Sequence, residues 1–591
     1  MNLAEQKVLA EVALGNTPAD LVIHGGKLVD VHTGEIRPAG VAIKGSRIAC
    51  TGDVSYTVGP RTIVIDASDK YLVPGFIDTH QHSYEAHINM TEYAKVLLLH
   101  GTTLVSEAFY GMALVAGLRA VRFCLQELLA TPVKVAFLVP VLAYLQNREL
   151  GLPVAPNTPS AEEMLKVLDW PECYGIEEPP YVPIVEKDPF FLELFERAMK
   201  RGQVITGHAC GCLGKELQAY VLAGAASDHE CVDPVEVREK ARLGMSISAR
   251  EGSGASDVAQ VMRANTELKI PARCFTFCGD EVEFLRLYEK GHLDYNIRLA
   301  ISGGVNPVDA IRIATINAAE LLRVSHEVGS VVPGKYADVV IVDDLREFSI
   351  SAVIASGKVV VEKGQFCIDL KRPQYPDYMY GTVRLFRPLV REDFAIKAPD
   401  GRQEVKVRVI NLKDGSLLSD EKHFTLKVTD GLVNPDLTQD VLKIAMIDRY
   451  ARFDKVGLGF IHGVGLKSGA LASTYNPLYE NIIVVGTNDE DMLIAANRIV
   501  ELGGGFVVVQ NGSVLGELPL PLCGLLSDES LDVAIQKMRK VYDVVRELGC
   551  PLKSPFHSLA FMAVCGEIGT LKIGHEGLFD VDKRQFVDLF V

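Results

Sequence analysis

The sequence predicts an α/β protein: a (β/α)8 TIM-type barrel, a small β-sandwich built from both barrel flanks, and a C-terminal α+β domain. Three observations carry that expectation. Between residues 70 and 325, short apolar runs such as Val133-Lys-Val-Ala-Phe-Leu-Val139 alternate with helical stretches such as Ala161 to Leu168 and Phe190 to Lys200. Strand–helix alternation sustained over about 250 residues is the pattern of a parallel sheet that closes on itself. The stretches before and after it carry a β rhythm instead, and a third rhythm, mixed α and β, begins near residue 401.

Taken in order, residues 1–69 hold short β-rich runs bounded by Gly and Asp: Leu21-Val-Ile-His24, Lys27-Leu-Val-Asp30, Gly40-Val-Ala-Ile-Lys44 and Arg61-Thr-Ile-Val-Ile-Asp66. Such spacing predicts a small sheet. Residues 70–325 are the barrel. Residues 326–374, with Ala337-Asp-Val-Val-Ile-Val342 and Gly357-Lys-Val-Val-Val-Glu362, supply the missing half of the first sheet module. Residues 375–400 are rich in Pro and charge and read as a linker. From 401 to 591, strands such as Glu404-Val-Lys-Val-Arg-Val-Ile410 and a helix from Asp489 to Leu502 predict the last domain.

Composition narrows the function. The 591 residues carry 60 Lys plus Arg against 76 Asp plus Glu, a net charge of −16, with 48% hydrophobic and 23% charged residues. That balance is an ordinary globular one. An acidic surface argues against nucleic acid or anionic membrane as partner. The first twenty residues lack a basic and apolar leader, so no signal peptide is expected. The apolar run Val135 to Leu145 is broken by Pro140 and too short to span a bilayer. Twelve cysteines without a dense framework suit reduced thiols. The expectation is a cytoplasmic enzyme acting on a small molecule.

The sharpest chemical signal is Val73-Pro-Gly-Phe-Ile-Asp-Thr-His-Gln-His82. Strand side chains alternate, so His80 and His82 face one side and can clamp a divalent metal. Further donors follow later strands: Glu178 in Tyr174-Gly-Ile-Glu-Glu178, His208 after Val204-Ile-Thr-Gly, His229 in Ser227-Asp-His-Glu230, and Asp280 in Phe275-Thr-Phe-Cys-Gly-Asp280. Barrel enzymes place catalytic groups at strand ends. Four histidines and two carboxylates in that order make a dinuclear site with one carboxylate free for proton transfer. A cytidine-deaminase type of zinc site is excluded, because no Cys-x-x-Cys occurs. Cys210 and Cys212 read as small loop residues beside His208.

These stretches resemble the amidohydrolase superfamily, through Pro74-Gly-Phe-Ile-Asp-Thr-His-Gln-His82 and Pro333-Gly-Lys-Tyr-Ala-Asp338. Within it, the chain resembles the adenine deaminase family along nearly its whole length, through His100-Gly-Thr-Thr103, Ser227-Asp-His-Glu-Cys231, Arg250-Glu-Gly-Ser253, Val485-Gly-Thr-Asn-Asp-Glu-Asp491 and Leu518-Pro-Leu-Pro521. The resemblance implies two divalent metal ions (Mn, Fe or Zn), with His80 and His82 on the first and Glu178 bridging the pair. His208 and His229 complete the site, and Asp280 binds metal and acts as general base. Glu251 is expected as a second carboxylate that orients substrate, and a homo-oligomer, dimer or larger, is expected as the assembly.

The departures cluster. Where the family carries Asp-Pro-His-Glu, this chain reads Ala108-Phe-Tyr-Gly111, preceded by Glu107. A His-Asp-Ser-His pattern is replaced by Asn476-Pro-Leu-Tyr-Glu480, and a His-rich run by Arg449-Tyr-Ala-Arg-Phe-Asp454. Glu107, Phe109 and Tyr110 are therefore expected to face substrate, the aromatics by stacking on a planar ring. The resemblance implies deamination of adenine to hypoxanthine and ammonia. Ring-opening hydrolysis of a cyclic amide or imide is the alternative, and a catalytically weak relative serving binding or assembly is a third reading. Six intact metal-site positions disfavour the third.

Overall fold

A computed structural model describes residues 1–591 except 146, 147, 149, 400, 417, 567 and 568. Eight parallel strands lie at its centre: β1 Phe76–Gln81, β2 Thr102–Glu107, β3 Lys134–Val139, β4 Cys173–Ile176, β5 Val204–Ile205, β6 Ser227–Asp228, β7 Ser246–Arg250 and β8 Phe275–Cys278. They neighbour one another in sequence order, β1 to β5 in one sheet and β6 to β8 in a second. Two seams close the ring. Ala226 N donates to Ile205 O at 2.8 Å between β5 and β6, and Asp280 N donates to His80 O at 3.0 Å between β8 and β1. This is the expected barrel. Helices cover its outside, so β3 is buried on both faces and its sequence reads as one apolar run rather than an alternation.

Both flanks contribute to the sandwich. One sheet runs in the order Arg47–Gly52, Gly40–Lys44, Leu21–His24, Ile63–Asp66; the other runs Gln365–Phe366, Lys358–Glu362, Ile350–Ala355, Val339–Val342, Tyr71–Pro74, Lys27–Val29, Ile36–Pro38. Between them pack Leu21, Ile23, Val41 and Ile43 with Leu72, Val339 and Ile341. The strand Tyr71–Pro74, grouped with the barrel by a boundary at residue 70, pairs antiparallel with Val339–Val342. Gly75 N then donates to Asp338 O, and the chain passes into β1. A helix Leu3–Ala13, not anticipated above, lays Leu9 and Val12 against the outer face of the four-stranded sheet.

Residues 375–399 do not behave as a free spacer. Met379 and Phe394 are buried, Tyr375 Oη donates to Glu127 at 2.9 Å, and Cys523 N donates to Met379 O. The aromatic and apolar residues scattered among the prolines account for this. The C-terminal part is a nine-stranded sheet with helices on both faces. Ala445, Ile447, Ala472, Val484, Val507 and Val509 pack on the helix Asp489–Leu502. The alternate residues Ile444, Met446, Leu471, Ile483 and Val508 belong to the main core, with helix Leu531–Glu547 and the barrel. The period of two sends successive residues to opposite helices. Among the described residues no helix is long and apolar enough to cross a membrane, and all twelve cysteines are free.

Candidate metal centre

At the C-terminal ends of the barrel strands, six side chains converge on one point. Glu178, just past β4, is the hub. Its carboxylate lies 3.5 Å from His80 Nε2, 3.1 Å from His82 Nε2, 3.2 Å from His208 Nδ1 and 3.2 Å from His229 Nε2. Asp280, just past β8, reaches His80 Nε2 at 3.4 Å and His82 Nε2 at 3.3 Å. Three triplets form: His80 with His82 and Glu178, His80 with His229 and Asp280, and Glu178 with His208 and His229, each with donor atoms within 4.8 Å of one another. Glu178 and Asp280 both hold positive φ, 29° and 59°. Left-handed backbone at two non-glycine residues is strained geometry kept where a site needs it.

The electrostatics divide the carboxylates into two sets. Burial would raise Glu178 and Asp280, yet the surrounding imidazoles hold both well below the usual carboxylate range. Arg250 assists at Asp280, donating to Oδ2 at 2.9 Å, and it also donates to Glu230 at 2.6 Å. Burial would raise Glu230 too, but Arg250, His208 and His229 hold it down. Glu177 and Glu281 go the other way: burial drives both well up, and neighbouring carboxylates add to it. Carboxyls driven apart within one site are the usual arrangement for handling protons near neutral pH.

The donor set fits a divalent cation. Within it, His80 Nε2 and Glu178 Oε1 are buried without a hydrogen-bond partner. Unpartnered buried polar atoms cost free energy, and a cation among imidazole and carboxylate donors would satisfy them.

The other expected residues divide. Tyr110 lines the cavity, its ring edge-on to His82 at 5.0 Å between centroids. Phe109 does not; it is fully buried in the core. Glu107 does not reach the cavity either. Its Oε2 accepts from Ser83 N at 2.6 Å and its Oε1 from Ala108 N and Phe109 N. This strand-end carboxylate satisfies backbone donors in the turn after β1 and in its own turn after β2. Glu251 is also turned away, because strand alternation points Arg250 inward and its neighbour outward. Glu251 pairs with Arg286 at 2.8 Å and lines a separate cleft with Tyr542 and Arg546.

The residues that sequence reasoning passed over are Glu85, Glu177, Glu230, Arg250, Glu281 and, in the C-terminal domain, Phe561 and Val564. Glu177, Glu230 and Glu281 each stand beside a chosen ligand in the chain. Arg250 stands beside Glu251, and alternation from the β7 pattern would have favoured it. Pro477, Leu478, Phe561 and Val564 form an apolar roof. The stretch Asn476–Glu480 therefore reaches the cavity, while Arg449 is a buried structural cation donating to Thr382 Oγ1, Glu480 O and Cys523 O. The cavity beneath this roof measures about 60 Å3.

Comparison with known proteins gives the same picture. The profile of the amidohydrolase family matches residues 71–360, and that of the adenine deaminase C-terminal domain matches residues 416–585. The chain is 36% identical to an adenine deaminase of Moorella thermoacetica over 98% of this chain and 97% of that protein. It is 35% identical to one from Clostridium botulinum, over 99% and 97%, and 36% identical to one from Kosmotoga olearia, over 98% and 98%. The chain belongs to the adenine deaminase family of the amidohydrolase superfamily. Its barrel, sandwich and last domain are all within the matched length, so membership covers the roof over the cavity as well as the donor cluster beneath it.

Proposed function

We propose that this protein hydrolyses the exocyclic C–N bond of adenine, releasing hypoxanthine and ammonia. The observation that carries the reading is the Glu178 carboxylate set among four imidazoles, with Asp280 and Arg250 beside it. The near-full-length similarity to proteins named adenine deaminase supports the choice of substrate. Ring opening of a cyclic amide draws no comparable support.

His80, His82, Glu178, His208, His229 and Asp280 would hold two divalent cations, and this donor set accepts Mn, Fe or Zn. When bound, such ions supply an acidified water and withdraw electrons from the carbon it attacks. Asp280 takes one proton from that water at its carboxylate and hands it to the amino nitrogen, which departs as ammonia. The water's other proton remains with the product, on the ring nitrogen beside the new carbonyl. Arg250 holds Asp280 in place for that transfer and keeps it ionised beforehand, through the 2.9 Å contact to Oδ2. The apolar roof of Pro477, Leu478 and Phe561 excludes other water, which strengthens each charge interaction inside. Residence in a reducing compartment and assembly as a homo-oligomer belong to the same reading.

The test is direct: metal-reconstituted protein given adenine should release ammonia and form hypoxanthine in equal amounts. A chelated sample should do neither. Ammonia without hypoxanthine, or no product with metal bound, would refute the assignment.

A further inference from the structure

One cavity residue has no part in the donor cluster or the proton transfer just described. Glu85 sits in the short 3-10 turn Ser83–Ala86 that follows His82, is 1% exposed, and lines the cavity. Three phenols hold it. Tyr84 Oη donates to Oε1 at 2.7 Å, Tyr110 Oη donates to Oε1 at 3.1 Å, and Tyr475 Oη donates to Oε2 at 2.6 Å. Tyr84 belongs to the same turn as Glu85, while Tyr110 comes from the helix after β2 and Tyr475 from the C-terminal domain, so two remote segments join the turn on one carboxylate. A carboxylate offers about four acceptor positions. Three are taken, and the fourth is on Oε2.

No cation among the described lining residues is free to take it. The cavity's one guanidinium, Arg250, is bound to Glu230, Asp257 and Asp280. A buried carboxylate without a cationic partner is costly unless its remaining position is filled by a donor. Adenine has two kinds of N–H. The amino group is consumed at the donor cluster, which leaves the N–H of its five-membered ring.

We propose that Glu85 determines specificity by accepting that ring N–H, so that the site takes the free base and rejects purines substituted on the ring nitrogen, nucleosides included. The inference rests on adenine being the substrate. Substitution removes the hydrogen and leaves Glu85 buried with an acceptor unfilled. Sites built to bond a substrate hydrogen reject analogues lacking it by about 10^4-fold or more.

The experiment compares adenine with 9-methyladenine in the wild type and in Glu85→Gln, each with metal content measured. Turnover is read as kcat/KM, or as an inhibition constant where no turnover is seen. In the variant the amide oxygen stays with Tyr84 and Tyr110, and the NH2 takes the Oε2 position, where it faces both the Tyr475 hydroxyl and the ring N–H. The expected result is a loss of about 100-fold or more for adenine, with 9-methyladenine changed less than about threefold and metal retained. An equal loss for both compounds would make Glu85 a purely structural clamp and overturn the inference. Should Glu85→Gln not fold, Tyr475→Phe removes one donor from the same carboxylate and should lower adenine turnover selectively; an equal loss again overturns it. Wild type inactive on adenine would refute the functional reading itself. Wild type active but with an unchanged preference in the variant would refute only the role of Glu85.

Discussion

The two sides of the cavity are built on different principles. The floor is made of strand ends, and its six donors each stand at the end of a barrel strand or one to three residues beyond it. The roof and side wall are made of a 3-10 turn, a helix start and two segments of another domain: Glu85, Tyr110, Pro477, Leu478 and Phe561. On the floor, chemistry restricts the choice of residue, because few side chains bind metals. On the wall, under the proposed function, the substrate's outline restricts it. The contrast separates positions set by donor chemistry from positions set by shape.

The largest effect should come from breaking the floor. Replacing His80 and His82 together with Ala should lower both metal content and turnover below detection, with metal read by elemental analysis. Full metal content in that variant would remove the assigned ligands from the account.

A smaller effect should come from beneath the floor. Lys240 is buried and donates to Ala209 O at 2.5 Å, Asp228 Oδ2 at 2.9 Å and Glu236 Oε1 at 2.6 Å. Asp228 Oδ1 in turn accepts from Ala209 N at 2.8 Å, which ties the His208 loop to the strand end carrying His229. Lys240→Met leaves the buried Asp228 and the half-buried Glu236 uncompensated and should cost about 3–5 kcal/mol, read by denaturant unfolding. Adding Asp228→Asn should restore part of that loss.

How much of this was legible in the sequence follows the same division. His80, His82, Glu178, His208, His229 and Asp280 stand where the strand-end pattern put them, because strand periodicity and side-chain chemistry are both local. Glu107 and Glu251 were misjudged for equally local reasons: one carboxylate caps backbone N–H groups, and the other follows an inward-facing Arg250 and so points outward. Glu85 was out of reach. Its turn has no periodicity, and Tyr475, 390 residues away, is brought to it only by domain packing. The strand Tyr71–Pro74 was assigned to the barrel because nothing local marks the step at Gly75 from one sheet to the next.

The smallest effect concerns stability away from the site. Burial lifts Glu283 from 4.5 to about 7, with the Tyr542 hydroxyl donating to it. The folded state therefore holds this proton more tightly than the unfolded chain does. Its contribution is full below pH 4.5 and is lost as pH rises through about 7, a change of about 3 kcal/mol. Glu283→Gln should flatten that slope and raise the unfolding midpoint at pH 8 relative to pH 5. A parallel shift at both pH values would contradict it.

The central claim is that Asp280 moves the proton in a hydrolysis carried out at the donor cluster. The most direct measurement is adenine turnover by Asp280→Asn alongside its metal content. The account predicts ammonia release reduced by about 10^3-fold or more while most of the metal stays bound by the five remaining donors. Turnover near the wild-type rate with metal retained would contradict it.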